Sequence, residues 1–374
     1  MMGCCNYHIH IFFPDSAEQW LVRIPRPGLA ALHRKIDVEY QYASEFATLK
    51  FLEGTKVPAP KVFAFDVASN TGNAVGTTYL IMEFLAGTPF NPHSATLEEK
   101  KRVYDGVAEI LIELSKHPLP KACSLAPTGP IYGEDGPFVA KIAGLRSKIA
   151  QPFGPFETAK DYHMAIIEAH LSLIEEGTLY PEHAVEAYLT YSILQERISE
   201  LYKELESFYL THIDAKGDHI LLSPSGHISG IIDWQGARFS PYDEAFGPSL
   251  LTADLHALYF GRSGTTPNDH LLAASLIEKG EARLADAMKG DERARRFHFG
   301  LGSARMEREM WDSIRGLLVA FEIYEGEGFE LWRERAMARY RGDLRLERLL
   351  ERSGRFGDES QVVYLASRLV TPVC

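Results

Sequence analysis

The residues best placed to do chemistry stand in one stretch, "THIDAKGDHILLSPSGHISGIIDW", Thr211 to Trp234. Two short apolar runs, Ile220 to Leu222 and Ile228 to Ile232, flank a Ser-Pro-Ser-Gly turn. That is the pattern of a small hairpin. Asp214 and Asp218 precede the first run, Asp233 follows the second, and His219 stands where the hairpin begins. A carboxylate there can take a proton from a reacting group or hold a hard divalent cation. Imidazole is a softer ligand, better suited to transition metals. Taken singly, each Asp serves equally well as a turn or cap residue; their joint spacing around two apolar runs sets them apart.

A second constellation is "YHIH". His8 and His10 alternate, so both point to one face of a strand, and with His212 or His219 they could hold a metal. A barrel hydrolase built that way needs repeated strand–helix units. The long helical stretches of this chain do not supply them.

The elements that must position these residues fall into two groups. "YHIHIFF", the polar turn "PDSAEQ" and "WLVRIP" predict a hairpin. "YASEFATLKFLEG" has Phe46, Leu49 and Leu52 near helical spacing, with a Gly just past its end, and predicts an amphipathic helix. "VPAPKVFAFD" is extended, and "TTYLIMEFLAG" is a buried strand ending in a turn. From residue 94 the pattern turns helical: "SATLEEKKRVYDGVAEILIELSKH", capped by Ser94 or Thr96, then 157–177, 181–207 and 267–352. Residues 118–138 are rich in Pro and Gly and read as loop. A strand-rich lobe at 1–86 therefore precedes a helical lobe at 87–374, with the catalytic loop at 211–234 in the second.

The bulk numbers fit such a chain. Its 374 residues suffice for two lobes around a large core. Net charge is −12, which argues against nucleic acid or an anionic membrane as partner. Four cysteines in this length are no disulfide framework, and a reducing, cytoplasmic setting is expected. No apolar run reaches the roughly 18 residues of a membrane span. "MGCC" at the start departs from the myristoylation pattern at Tyr7.

This layout, with these acids, resembles the protein-kinase-like fold, in its aminoglycoside phosphotransferase and choline kinase branch. The resemblance covers roughly residues 3–260 and implies an α+β, bilobal fold with a small strand-rich N-lobe and a large helical C-lobe. The family pattern is His-Gly-Asp, an Asn, two apolar residues, then an apolar run ending in Asp-Trp or Asp-Phe. His212, Asp214 and Asp233-Trp234 match it, and Asp214 and His219 are five apart, as in the kinase catalytic loop. By that resemblance Asp214 orients the acceptor hydroxyl, Lys216 lies near the γ-phosphate, and Asp233 holds Mg²⁺. Arg23 takes the place of the phosphate-contacting lysine, Glu45 that of the helix glutamate that pairs with it, and Met82, Glu83, Phe84 and Leu85 line the adenine pocket.

Three features depart from the pattern. His219 replaces the metal-binding Asn, which brings Mn²⁺ in beside Mg²⁺. Ile213 replaces the Gly of His-Gly-Asp. The phosphate-covering loop is reduced to "GCCN", and the resemblance places a further strand upstream of it. The expected activity is transfer of a phosphoryl group from ATP to a hydroxyl of a small molecule that the sequence does not name. The competing expectation is a non-catalytic kinase-like protein that binds a nucleotide, ligand or partner. Oligomeric state is not encoded in any pattern seen.

Overall fold

A computed structural model describes residues 6–26, 35–127, 138–140, 142, 152–201, 207–262, 264–302 and 306–352. The "GCCN" loop lies outside the described residues except for Asn6.

Strands β1 (Asn6–Phe12) and β2 (Gln19–Pro25) form the expected antiparallel hairpin, with His8 opposite Arg23. Helix α1 (Lys35–Leu52) follows, then β3 (Val62–Asp66) and β4 (Tyr79–Glu83), completing a four-stranded sheet in the order β1-β2-β4-β3. α1 starts at Lys35, earlier than its apolar spacing predicts. It buries Tyr42, Phe46 and Leu49 on the core and also the polar Gln41 and Glu45. Buried polar groups require partners; these come from β2 and from the far end of the chain. Fully buried on more than one side, the helix shows little of the contrast between faces that an ordinary surface helix carries.

After β4 the chain forms the short strand β5 (Thr88–Pro89) and helix α2 (Leu97–Leu114). Thr96 rather than Ser94 caps α2, in a reciprocal capping box with Glu99. The stretch read as loop holds a strand, β6 (Ser124–Ala126), paired with β7 (Phe138–Ala140); residues 128–137 lie outside the described residues. α3 (Ala159–Glu175) and α4 (Ala184–Glu196) pack on each other. Of the segment read as one helix at 181–207, the described part is α4 with single 3₁₀ turns at Pro181–His183 and Ile198–Leu201; residues 202–206 lie outside the described residues.

Strand β8 (Phe208–Thr211) then leads into the loop of interest, followed by β9 (Ile220–Leu222), β10 (Ile228–Ile231) and β11 (Arg238–Pro241). β9 and β10 form the predicted hairpin, β5 adds to its other edge, and β11 pairs with β8. Because both pairs are antiparallel, the β8–β9 and β10–β11 connections emerge side by side. The amide of Ile232 donates to the carbonyl of His219 at 3.0 Å between them. The described residues that follow are mostly helical, as their pattern predicts: α5 (Tyr242–Phe246), α6 (Leu255–Tyr259), α7 (Pro267–Glu278), α8 (Ala282–Met288), α9 (Arg293–Phe299), α10 (Glu307–Ala320) and α11 (Phe329–Arg339), then helical residues 344–352. No described helix is long and apolar enough to cross a membrane. The observed order, a small sheet with one helix and then a larger helical body, is the expected α+β kinase-like architecture.

Candidate active site

The loop after β8 is fixed by its two histidines. His212 is enclosed, its ring 4.8 Å from that of the buried Trp234, and burial lowers its pKa. The ring is therefore neutral, and its Nε2–H donates to the carbonyl of Ile232 at 2.9 Å. His212 thus ties the two connections together without touching a reactive group. His219 Nδ1 donates to the carbonyl of Asp214 at 2.8 Å. That bond orients the ring and turns Nε2 toward Asp233 Oδ2, 3.7 Å away. Gly217 makes the loop's tight passage possible: a Cβ there would meet Pro92 Cδ at 2.4 Å and the Phe90 carbonyl at 2.6 Å. Asp214 is partly exposed and pairs with Lys216 Nζ at 2.9 Å through Oδ2. Asp218 points to solvent.

Asp233 sits at φ 64°, the left-handed region that Asp enters more readily than most residues. Trp234 anchors the turn, its Nε1 donating to the Ile231 carbonyl at 3.0 Å. On either side of that anchor, Asp233 and Gln235 both reach Arg23. Arg23 is buried on β2, and its Nη1 pairs with Glu45 on α1. Its Nη2 donates to Asp233 Oδ1 at 3.1 Å and to Gln235 Oε1 at 3.1 Å. Gln235 Nε2 donates in turn to Gln41 Oε1 on α1 at 2.7 Å. Burial alone would weaken the guanidinium's hold on its proton; Glu45 and Asp233 reverse that and keep it charged. For Asp233, burial pushes the carboxyl up, but the Arg23 guanidinium beside it holds it below the usual range. Burial raises Glu45, against the pull of Arg23.

The strand that leads out of the sheet supplies the remaining candidates. Met82 is buried in β4. The amide of Glu83 donates to the Lys61 carbonyl at 2.8 Å and that of Phe84 to the Gln19 carbonyl at 2.9 Å. His10 stacks on the Phe84 ring, centroids 3.9 Å apart, and bonds to Gln19 Oε1 at 3.0 Å. Leu85 lies against Gly230 of β10, where a Cβ would come within 2.4 Å of its Cδ1. The segment Met82–Leu85 therefore runs between the sheet and the β9–β10 hairpin.

The sequence-predicted residues thus fall into one connected group. Arg23, Glu45, Asp233 and His219 touch in series, Asp214 and Lys216 adjoin them through His219, and Met82–Leu85 flank the hairpin. Gln41 and Gln235 join the group without having been singled out. The available signal was spacing: Gln41 is one helical turn before Glu45, and Gln235 is two after Asp233. Asp233 Oδ2 and His219 Nε2, an oxygen and a nitrogen donor 3.7 Å apart, fit a divalent cation.

The "YHIH" pair does not build a metal centre with these residues. Among the described residues, the group of three such side chains close enough to share an ion is His163, Glu244 and His298. That cluster already holds a cation: Arg238 Nη2 lies 3.2 Å from Glu244 Oε1 and 3.4 Å from His298 Nδ1.

A sequence profile of the phosphotransferase enzyme family matches residues 11–287, a span that includes Arg23, Glu45, Met82–Leu85, Asp214, Lys216, His219 and Asp233. The chain belongs to the phosphotransferase enzyme family. Among solved structures, aminoglycoside phosphotransferase APH(4)-Ia is similar at 14% identity, over 88% of this chain and 93% of that one, with a TM-score of 0.49. The Plasmodium vivax ethanolamine kinase is similar at 11% identity, over 93% and 82%, with a TM-score of 0.49. The GDP complex of wild-type aminoglycoside 2'-phosphotransferase-IIIa is similar at 15% identity, over 86% and 91%, with a TM-score of 0.43. No curated protein matches the sequence. Against the phosphotransferase pattern, His219 and Ile213 remain the two departures in the described loop.

Proposed function

We propose that this phosphotransferase moves the γ-phosphoryl group of ATP to a hydroxyl of a small molecule, with the nucleotide held between lobes at 1–86 and 87–374. The observation that carries the reading is the reach of Arg23, which contacts Glu45 on α1 and Asp233 beside the catalytic loop. A phosphate-binding cation, a metal-ligating carboxylate and a proton acceptor are thereby joined in one cluster. Asp214 takes or orients the acceptor's hydroxyl proton, and Lys216 offsets its charge and adds a cation for the phosphate oxygens. Arg23 binds phosphate with the planar fork of its guanidinium, and the backbone of Glu83–Leu85 meets the adenine edge. Asp233 and His219 would hold the divalent cation, Mg²⁺ or Mn²⁺, which shields phosphate charge when bound.

A second reading, a kinase-like protein that binds a nucleotide or ligand without turning it over, is favoured by His219 at the metal place and by the full engagement of Arg23 with Glu45, Asp233 and Gln235. The two separate in one experiment. Purified protein is given Mg-ATP or Mn-ATP and a panel of hydroxyl-bearing metabolites, and ADP release is followed. Acceptor-dependent release that Asp214→Asn abolishes supports the transferase. Metal-dependent ATP binding without release across the panel supports the binding protein.

A further inference from the structure

The Gln41–Gln235 pair has no place in the phosphoryl-transfer scheme above, yet it is the direct amide link between α1 and the turn that carries Asp233. Gln41 is buried and lies on the face of α1 that also presents Glu45. Gln235 accepts from the same Nη2 that reaches Asp233, and donates to Gln41 at 2.7 Å. The buried Trp234 between Asp233 and Gln235 anchors the backbone from which both side chains extend. Arg23 is therefore held at three points: Glu45 from α1, and Asp233 and Gln235 from the turn. Without Gln235, Nη2 loses one of its acceptors on the turn, and α1 loses its amide contact with Gln235.

We infer that Gln235 and Gln41 are positioning residues that couple the seat of α1 to the orientation of the Asp233 carboxylate, and so set the strength of metal-dependent nucleotide binding. The inference rests on the proposed nucleotide and metal site. Nucleotide held by base and sugar contacts alone does not depend on the coupling; nucleotide held through a cation on Asp233 does.

The test is the affinity of labelled ATP with Mg²⁺, with Mn²⁺ and with chelator. Gln235→Ala removes a hydrogen bond to a charged group and the link to α1, and the expected loss in metal-dependent affinity is about tenfold or more. Affinity in chelator stays within about twofold. Gln41→Leu removes the link but leaves the contacts of Gln235 with Arg23, and gives a smaller loss in the same direction. Adding it to Gln235→Ala costs nothing further, because the shared contact is already gone. Gln235→Glu keeps an acceptor for Arg23, and Gln41 can turn its amide to donate to the new carboxylate, so this variant retains metal-dependent affinity. Should Gln235→Ala fail to fold, Gln41→Leu and Gln235→Glu carry the same comparison. Unchanged metal-dependent affinity in both Gln41→Leu and Gln235→Ala overturns the inference, as do equal losses with and without metal or strictly additive losses. A wild-type protein whose ATP affinity is the same with metal and with chelator overturns the site reading itself, and this inference with it.

Discussion

Two clusters in this molecule each pair an arginine with a glutamate beside histidines, and they differ in how far their carboxylates reach solvent. Around Arg23, the carboxylate of Asp233 keeps 41% of its side-chain surface open and Asp214 keeps 32%. Around Arg238, nothing acidic reaches solvent: Glu244 is 6% exposed and Arg238 2%. Glu244 accepts from Arg238 and from the hydroxyl of Tyr162 at 2.9 Å, and its Oε2 lies 2.9 Å from His298 Nε2. Burial alone would keep it protonated, but His298 and Arg238 hold it ionised well below the usual range. A closed set of paired charges can fix geometry but cannot meet a substrate. An open one can. The difference predicts that damage to the first cluster shows in activity and damage to the second shows in stability.

The largest expected effect tests the open cluster. Asp214→Asn keeps the shape of the side chain and removes its basicity. Phosphoryl transfer should fall on the order of 10² to 10⁴, the usual cost of losing a positioned base. Its thermal midpoint should stay close to that of the wild type, because Asp214 is partly exposed and its Lys216 partner is solvent-accessible. Turnover near the wild-type rate would remove Asp214 from the mechanism.

The closed cluster should respond the opposite way. Glu244→Ala leaves Arg238 buried without its carboxylate, and loss of one partner of a buried pair costs about 3–5 kcal/mol. Urea titration of wild type and variant measures it. If Glu244→Ala and Asp214→Asn cost the same stability, the distinction between the two clusters is empty.

Much of the open cluster was legible because it is written in short local patterns. The Asp214 and Asp233 loops flank one hairpin whose apolar runs and Ser-Pro-Ser-Gly turn are contiguous in sequence. Arg23 and Glu45 were placed by their order before the β4 strand, not by any visible contact, since 22 residues separate them. The closed cluster was illegible for the complementary reason. Tyr162, His163, Arg238, Glu244 and His298 come from α3, β11, α5 and α9, and no local periodicity announces that these elements meet. Gln41 was hidden differently: on a helix a glutamine reads as a surface residue, and only a buried donor 194 residues away makes it a core one. Short strands such as β6 escaped because a Pro- and Gly-rich composition signals turns and says nothing of a three-residue pairing between them.

A pH experiment sharpens the comparison on the stability side. His170, packed on α3, stacks on Tyr191 and bonds through Nδ1 to the Ile166 carbonyl at 2.8 Å. Burial lowers its pKa to about 4, and that of His163 to about 3. Both bind protons later than the unfolded chain does as pH falls. The unfolded state is therefore favoured progressively below roughly pH 6.5, and the loss continues until the folded values are reached. His170→Phe keeps the ring stack and removes one of these groups. Between pH 7 and pH 5 its stability should fall less than that of the wild type, by about 2 kcal/mol. Urea titrations at the two pH values measure the difference, and parallel losses would mean that His170 titrates alike in both states.

The smallest expected effect concerns His219, which belongs to the open cluster but is the residue most unlike its family pattern. Its Nδ1 is committed to the Asp214 carbonyl, so only Nε2 is left to ligate, and that atom faces Asp233. Nitrogen at this place suits Mn²⁺, whereas Mg²⁺ prefers oxygen. His219→Asn supplies an amide oxygen instead. The ratio of Mn²⁺- to Mg²⁺-supported ATP affinity should then drop, by roughly threefold to tenfold for one exchanged ligand. The same substitution loosens the clamp on the Asp214 backbone, which would lower turnover with either metal to a similar degree and leave the ratio alone. Measuring affinity and turnover in both metals separates the two roles. A changed ratio assigns His219 to the cation. An unchanged ratio with slower turnover assigns it to the catalytic loop alone, and Asp233 would then be the cluster's single metal ligand from these two residues.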